Sequence, residues 1–588
     1  MHEFRVWAPD AQQVDLVLVD GRSAMEPLPG GWWRRGVAAA GHGTRYAFAV
    51  DGGEARPDPR SPSQPDGVHG MSEVVDHARY EWHDDRWRGV SLRGAALYEL
   101  HVGTFSPEGT FAGVVARLPH LVDLGVDAIE LMPVAEFPGR RGWGYDGVDL
   151  FAPHHAYGGP DGLKRLVDSS HGAGLGVVLD VVYNHVGPSG NYLREFGPYL
   201  TDRHVTSWGD AVNVDGRGSD EVRRFVVDNA LMWLGDYHCD GLRLDAVHAI
   251  VDESAVPVVA QLADEVGALA ARVGRPLCIV AESDRNEPRL VRPRAAGGHG
   301  LDAAWADDWH HALHTVLTGE TAGYYEDFGT VDHLAKALRQ AWVYDGVWSP
   351  HRKRIHGQSP AGLAGDQFVV CTQNHDHIGN RAAGDRLAAL TTTGRLKVAA
   401  ALLLTGPFTP LLFQGEEWAA STPFQYFTDH DDPALGRAVS EGRRSEFAAF
   451  GWDPAAVPDP QDAATYERSK LDWSECGEAE HGEVLAWYRE LLALRRRTPD
   501  LTDPRLERVE AVVETSGLVT VRRGSLTVIA NLGSSGRVLP MPTPSRLLAA
   551  SDGAVVLADG ALSVPPDTAA VLSCPATPAP TGVAPADG

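Results

Sequence analysis

Apolar and polar positions follow three textures along the chain. Up to about residue 93, short runs alternate apolar and polar, as in Phe4-Arg5-Val6-Trp7 and residues 14–19 and 46–50, and Gly and Pro clusters separate them. Alternation puts every second side chain on one face of a strand, so this stretch predicts a small β-sandwich. From Ala95, short uninterrupted apolar runs take turns with longer stretches of helical period. Strands are expected over 95–101, 126–132, 176–182, 241–245, 276–282, 301–305, 368–374 and 410–414. Helices are expected over 111–124, 161–172, 219–238, 253–273, 309–317, 394–404 and, after a long Gly/Pro/Trp-containing excursion from 415 to 482, over 483–497. Eight strands joined by helical crossovers call for a (β/α)8 barrel rather than an open sheet. Beyond Pro499 short runs bounded by Gly, Pro or Asp return and predict a C-terminal antiparallel β domain. The expected architecture is multidomain α/β: a β-sandwich over 1–93, a barrel with inserted loops over 94–498, a β domain over 499–574 and a disordered Pro/Ala/Gly-rich tail over 575–588.

Composition narrows the function classes. With 43% hydrophobic and 22% charged residues the chain can bury a large core. Its formal net charge of −27 repels phosphate backbones and anionic lipid, so neither nucleic acid nor a membrane is an expected partner. The acidity reads as a solubility feature and favours a neutral substrate. Five scattered cysteines without CxxC spacing support neither a disulfide framework nor a zinc ribbon, and Cys239, Cys278 and Cys371 read as small core residues. The N-terminal residues alternate and carry acids, unlike an export signal, and no apolar run approaches the roughly 20 residues of a membrane span. A soluble, cytoplasmic protein is expected. Neither a P-loop nor a dinucleotide fingerprint occurs, so no cofactor is expected. The adjacent His154 and His155, and His310, His311 and His314, raise a metal reading, but without HExxH or a His-plus-Cys constellation no catalytic metal is expected.

In a barrel the C-terminal strand ends line the active face, so polar groups interrupting apolar strands carry the weight. Three carboxylates stand there: Asp245 ends GLRLD, Glu282 ends LCIVAE and Asp376 follows FVVCTQNH. Arg243 is two residues before Asp245 and projects to the same side, where its guanidinium either orients that carboxylate or merely knits the barrel. Asp180, Asn184 and His185 in DVVYNH enlarge the cluster. Converging carboxylates with His185 and His375, and no activated Ser or Cys, suit acetal chemistry. Glu282 is assigned as general acid and Asp245 as nucleophile, with retention of configuration and a carboxyl separation of about 5–5.5 Å expected.

The segments DVVYNH from Asp180, GLRLDAVH from Gly241, VAES from Val280 and QNHD from Gln373 resemble the four signature regions of the alpha-amylase superfamily of retaining glycoside hydrolases. The resemblance implies Asp245 as nucleophile, Glu282 as acid/base and Asp376 as the carboxylate that stabilises the distorted sugar. It also implies Arg243, His185 and His375 as substrate-holding groups in the cleavage subsite and Tyr145 as the aromatic platform for that sugar. His248, which closes GLRLDAVH, and Asn380, four residues after Asp376, join them as expected substrate contacts. Longer stretches from about Phe4 to Trp473, among them LYELHVGTFSPEGTF and FTDHDDPALGRAVSEGRRSEFAAFGW, are similar to the branch of that superfamily that releases trehalose from malto-oligosyl trehalose. FRVWAPDAQQVDLVL resembles the carbohydrate-binding-like sandwich shared with branching and debranching relatives.

The resemblance therefore implies endo hydrolysis of the α-1,4 bond next to a terminal trehalose unit, with malto-oligosyl trehalose and related α-glucans as partners. The alternatives are a branching or debranching enzyme, or a glucan-binding scaffold without catalysis. Within DDWHHAL, Asp307 and His311 are expected to bind substrate, against the alternative that the acids serve as helix caps. His377 stands where the branch more often has Gln. Some amylases use calcium near the position of Asn184, which this resemblance does not require. Trp143, Trp418, Phe424, Tyr426 and Phe427 are read as sugar-stacking or loop-packing aromatics, with substrate contact favoured for those after Gln414.

Overall fold

The computed structural model describes residues 1–449 and 457–575. The expected disordered tail, Pro575 aside, lies outside the described residues. Eight parallel strands close into a barrel: Leu97–Leu100 (β1), Ala128–Leu131 (β2), Gly176–Val181 (β3), Gly241–Leu244 (β4), Cys278–Ala281 (β5), Ala303–Trp305 (β6), Phe368–Cys371 (β7) and Thr409–Phe413 (β8), with β8 pairing back onto β1. Each falls inside an expected run, apart from Thr409, and each but β6 ends a residue or more before its expected end, because the terminal residues turn away to carry the loops.

Period two divides the barrel interior into layers. Leu97, Ala128, Val178, Val280, Ala303, Val369 and Leu411 pack into one apolar cluster at the lower level. Two residues further along β1 to β4 stand Glu99, Glu130, Asp180 and Arg243, with Glu99 opposite Glu130 and Asp180 opposite Arg243 in the ladder. The apolar layer floors the barrel, and the polar layer above it faces the active end.

Around the barrel run Phe111–Leu124, Gly159–Gly172, Ser219–Gly235, Val258–Val273, Asp307–Thr318, Val331–Gln340, Thr393–Leu404 and Ala479–Arg497. The fourth begins five residues later than its periodicity suggests. Pro257 stands at its N-cap, and Asp252 accepts from the Val258 amide at 2.6 Å and from Arg223 at 2.8 Å, which holds the preceding residues in a loop. The helix Val331–Gln340 and the hairpins Leu200–Thr206/Gly209–Val212 and Asp345–Ser349/Arg354–Gly357 were not expected from the sequence. The hairpins are largely exposed and lack the one-sided apolar alternation that marks a strand.

Antiparallel sheets flank the barrel. On the N-terminal side, one contains His2–Trp7 and Trp32–Val37 and the other Val14–Leu18 and Arg45–Val50; on the C-terminal side stand a five-stranded and a three-stranded sheet. Arg495 of the last barrel helix is buried and donates to the carbonyls of Gly94, Leu404, Gly406 and Phe408. Arg523 of the C-terminal sheet donates to Thr405, Leu501 and Asp503 carbonyls. Both guanidiniums replace lost water with main-chain oxygens, and so join the barrel to the sheet that follows.

The segment between the N-terminal sheets and β1 is pinned beneath the barrel by His171. Its Nδ1 lies 2.8 Å from Asp84 and its Nε2 2.9 Å from Asp240, while Trp87 stacks on its ring and donates to Asp240 at 2.7 Å. With a carboxylate on each ring nitrogen, both nitrogens donate and the ring is an imidazolium. Burial alone would lower its pKa; Asp240 and Asp84 raise it above the ordinary value. A raised folded pKa contributes its stability in full below the unfolded value of about 6.5 and loses it as pH rises through the folded value. His171→Gln should therefore lower the melting temperature more at about pH 6 than at about pH 9, read by circular dichroism. An equal loss at both would show that His171 is not held as a cation.

Candidate active site

Asp245 and Glu282 each stand one residue beyond a barrel strand, where the ladder continues through the bonds Asp245 N to Val181 O, 3.0 Å, and Glu282 N to Leu244 O, 2.9 Å. Their backbones are thus held by the sheet, while their side chains clear the rim. Asp376 belongs to the short helical turn His375–Gly379, whose N-cap Asn374 accepts from the His377 amide at 3.0 Å.

Arg243 ties the site together. It is fully buried, donates from Nη1 to Asp180 at 2.7 Å and to Asp245 at 2.8 Å, and brings Nη2 within 3.8 Å of Glu282. Its guanidinium lies over the Trp305 ring at 4.1 Å, a flat apolar support that takes no hydrogen bond from it. Tyr145 donates to Asp180 at 2.6 Å, lies 2.8 Å from His375 Nε2 and stacks on the His375 ring. Its loop passes so close to the strand-end segment that a Cβ on Gly144, at φ 100°, would sit 2.1 Å from the Pro133 carbonyl. His185 donates from Nε2 to the Tyr145 carbonyl at 3.0 Å.

The acids do not share one environment. Burial pushes Glu282 up to about 8, assisted by Asp245, Asp307 and Asp376 and opposed by Arg243. Ala246, in the left-handed region at φ 38°, donates its amide to Glu282 at 2.5 Å; the carbonyl oxygen of a protonated acid accepts such a bond equally well. Asp180 is raised to about 7, mainly by burial. His185 is lowered by burial and so stays neutral.

The remaining sequence candidates are distributed around this centre. Asn380 donates to Asp376 at 3.2 Å and accepts from Arg443. Asp307 lies 3.6 Å from His377 and is raised to about 7 by burial, then by Asp376 and Asp308, although 31% of its side chain remains exposed. Both acids stand in the first turn of that helix, as the alternative reading placed them, although neither is the N-cap residue, which is Ala306. Asp308 instead clamps Asn286 and the amides of Val343 and Tyr344. His377 stacks on His310 at 3.5 Å. His311 packs on Tyr324, Tyr325 and Phe328, its pKa lowered to about 3 by burial. His248 stands apart, 3.9 Å from Asp284. His154 and His155 turn to Glu136, which takes the His155 side chain at 2.6 Å.

Glu99, Glu130, Trp305 and Trp208 were not singled out from the sequence. Glu99 bonds His375, and Trp208, at the tip of the first hairpin, stacks on His185 at 5.0 Å. The only signal for Glu99 was an acid inside the apolar run LYEL; Trp208 sits in a polar stretch that offered none.

A closed parallel barrel whose strand ends gather three carboxylates around a buried arginine has the architecture of a glycoside hydrolase of the alpha-amylase class. The family model for the alpha amylase catalytic domain matches residues 63–205, and that for carbohydrate-binding module 48, the isoamylase N-terminal domain, matches residues 2–63. Malto-oligosyltrehalose trehalohydrolase of Arthrobacter ramosus is 51% identical over 95% of this chain and 96% of its own length. The one from Saccharolobus solfataricus is 43% identical over 84% and 85%. A protein from Salmonella typhimurium, whose crystal structure is described provisionally as that of an alpha amylase, superposes with a TM-score of 0.90 at 41% identity over 97% of both chains. The chain belongs to the malto-oligosyltrehalose trehalohydrolase family, and is a glycosidase.

The substrate-contact reading of the aromatics beyond Gln414 fails for Trp418, Phe424 and Phe427. Trp418, Phe424 and Phe427 are wholly buried, Trp418 against Trp473 and His120, Phe424 against Trp143 and Phe413, and Phe427 against Tyr466. Trp143 is buried too and donates to the Gln425 carbonyl. Only Tyr426 keeps a partly exposed ring, with Arg443 over it. Their apolar area is satisfied where the long loop packs against the barrel at His120, Trp143 and Phe413. Trp418→Ala should cost about 3–5 kcal/mol of stability and leave KM of the folded enzyme within about twofold. A large rise in KM with an unchanged melting temperature would restore the substrate-contact reading.

Proposed function

We propose that this chain hydrolyses the α-1,4-glucosidic bond next to the terminal trehalose unit of malto-oligosyl trehalose, releasing trehalose and a shortened maltooligosaccharide with retained configuration. Asp245 is the nucleophile, Glu282 the general acid and then base, and Asp376 the carboxylate that steadies the distorted sugar. The observation that carries this reading is the unequal treatment of two neighbouring carboxyls. Arg243 donates directly to Asp245 at 2.8 Å, whereas Glu282 lies beyond hydrogen-bond distance from it, at 3.8 Å, and is raised to about 8. One group is thus equipped to attack a carbon and the other holds a proton at neutral pH.

In the first step Glu282 protonates the glycosidic oxygen as the bond to trehalose breaks, and Asp245 bonds to the anomeric carbon. Water then replaces trehalose, gives its proton to the Glu282 carboxylate and attacks the same carbon, which frees Asp245. Tyr145, His185, His375 and Arg243 hold the sugar in the cleavage subsite; Asp307, His311, His248 and Asn380 are proposed contacts further out. The substrate is neutral, so recognition relies on stacking and directed hydrogen bonds. A cytoplasmic setting suits the chain, whose five cysteines are free thiols. No described helix is long and apolar enough to cross a membrane. Relatives of 43–51% identity with the trehalohydrolase name do not favour the branching or debranching alternative.

Incubation with malto-oligosyl trehalose should yield free trehalose by chromatography, while a maltooligosaccharide of equal length is cut far more slowly; failure to release trehalose would overturn the substrate assignment. Because the protonated form of Glu282 works, kcat/KM should fall as pH rises through about 8. Glu282→Gln should lower kcat by about 10²–10⁴-fold and abolish that limb. A Glu282→Gln enzyme with an unaltered alkaline limb would remove Glu282 from the acid role.

A further inference from the structure

Glu99 lies in β1, is 1% exposed and points into the barrel. Its carboxylate is spent on a single residue: Oε1 accepts from His375 Nδ1, and Oε2 from the His375 main-chain nitrogen at 3.1 Å. An ionised carboxylate only accepts, so Nδ1 carries a proton. On the far side of the ring, Nε2 lies 2.8 Å from the Tyr145 hydroxyl, which is itself 2.6 Å from Asp180. A hydroxyl has one proton to give. If Tyr145 gives it to Asp180, Nε2 must also be protonated and His375 is an imidazolium. If Tyr145 gives it to Nε2, His375 is neutral and Asp180 loses a donor.

The surroundings select the first arrangement: Nε2 also faces the Asp376 carboxylate at 3.5 Å, so the ring stands between two acids, Glu99 at Nδ1 and Asp376 at Nε2. Burial alone would lower the pKa of His375, but Asp376 and Glu99 raise it to about 9 against the opposing charge of Arg243. The other groups of this layer add no free charge against it. Glu130, opposite Glu99 on β2, is pushed well up by burial and by Glu99 and so is a neutral acid. His101 and His377 are lowered, mainly by burial, and are neutral. Asp180, raised to about 7, is the acceptor in question.

We propose that Glu99 is a positioning residue of the reaction: by holding the main-chain nitrogen and Nδ1 of His375 it makes that ring a double donor, which turns the Tyr145 hydroxyl onto Asp180 and lets Arg243 serve Asp180 and Asp245 together. In the chain of bonds from Glu99 through His375, Tyr145, Asp180 and Arg243 to Asp245, His375 and Arg243 then donate on both sides, Tyr145 donates to Asp180, and the three carboxylates only accept. The inference rests on the reading of Asp245 as the attacking group.

Glu99→Gln keeps the shape and one acceptor but removes the charge. It should lower kcat by about 10- to 100-fold with KM within about twofold. Combined with Tyr145→Phe it should cost little more than the larger single loss, because both changes break the same chain. Multiplicative losses would assign Glu99 a merely structural role and overturn the proposal. Asp245→Asn is the control: if it is inactive while Glu99→Gln turns over normally, the positioning role alone fails, and if Asp245→Asn is active, the reading beneath it fails. Should Glu99→Gln not fold, nitrogen-15 histidine spectra of the unaltered protein decide. An imidazole with both nitrogens protonated up to a pH of about 9, absent in His375→Asn, is expected; a neutral His375 at neutral pH would overturn the proposal.

Discussion

The structure depends on the burial of one guanidinium. Arg243 sits inside the barrel with no exposed surface, and taking a cation out of water costs several kcal/mol unless its protons meet acceptors. Asp180 and Asp245 take the protons of Nη1, Glu282 stands 3.8 Å from Nη2, and Trp305 covers one face, so the compensation is made mainly by charge. The compensation works in both directions. Asp180 and Asp245 are held in place by the charge that they neutralise, so their geometry persists before any sugar arrives, which is what reaction of a neutral substrate requires.

The barrel makes this burial affordable by separating its interior into layers. The apolar cluster around Leu97, Val178 and Leu411 supplies ordinary hydrophobic packing. Above it Glu99, Glu130, Asp180 and Arg243 stand together, and burial, with the neighbouring acids adding to it, pushes Glu130 well up and Asp180 up to about 7. Similar residues thereby acquire different proton states. Glu282 owes its raised pKa mainly to burial and, beyond that, to the neighbouring acids Asp245, Asp307 and Asp376.

Much of this was legible in one dimension. Strand runs such as GLRLD and LCIVAE announce their register by alternation, and a carboxylate ending an apolar run marks the rim of a barrel whatever the details of the loops. The helices with apolar faces, such as Phe111–Leu124, are equally plain. Other features were hidden for physical reasons. Glu99 and Glu130 occur inside the runs LYEL and AIEL, where a sequence has no way to show that they stand opposite each other in the ladder or that Glu99 bonds a histidine across the barrel. The hairpin bearing Trp208 is mostly exposed and carries no apolar stripe. Trp418 and Phe424 looked like sugar platforms because aromatic residues in a long loop suit either purpose.

By itself the sequence determined the order of the eight barrel strands and of most helices between them, and the carboxylates that end on the rim, because these follow from local periodicity and chain order. Tertiary structure alone decided which acids are protonated, which aromatics pack inside and which histidine is a cation. Those properties depend on desolvation and on charges brought together from strands far apart in the chain: Glu99 and His375 are separated by 276 positions, and only closure of the barrel puts one carboxylate against that ring.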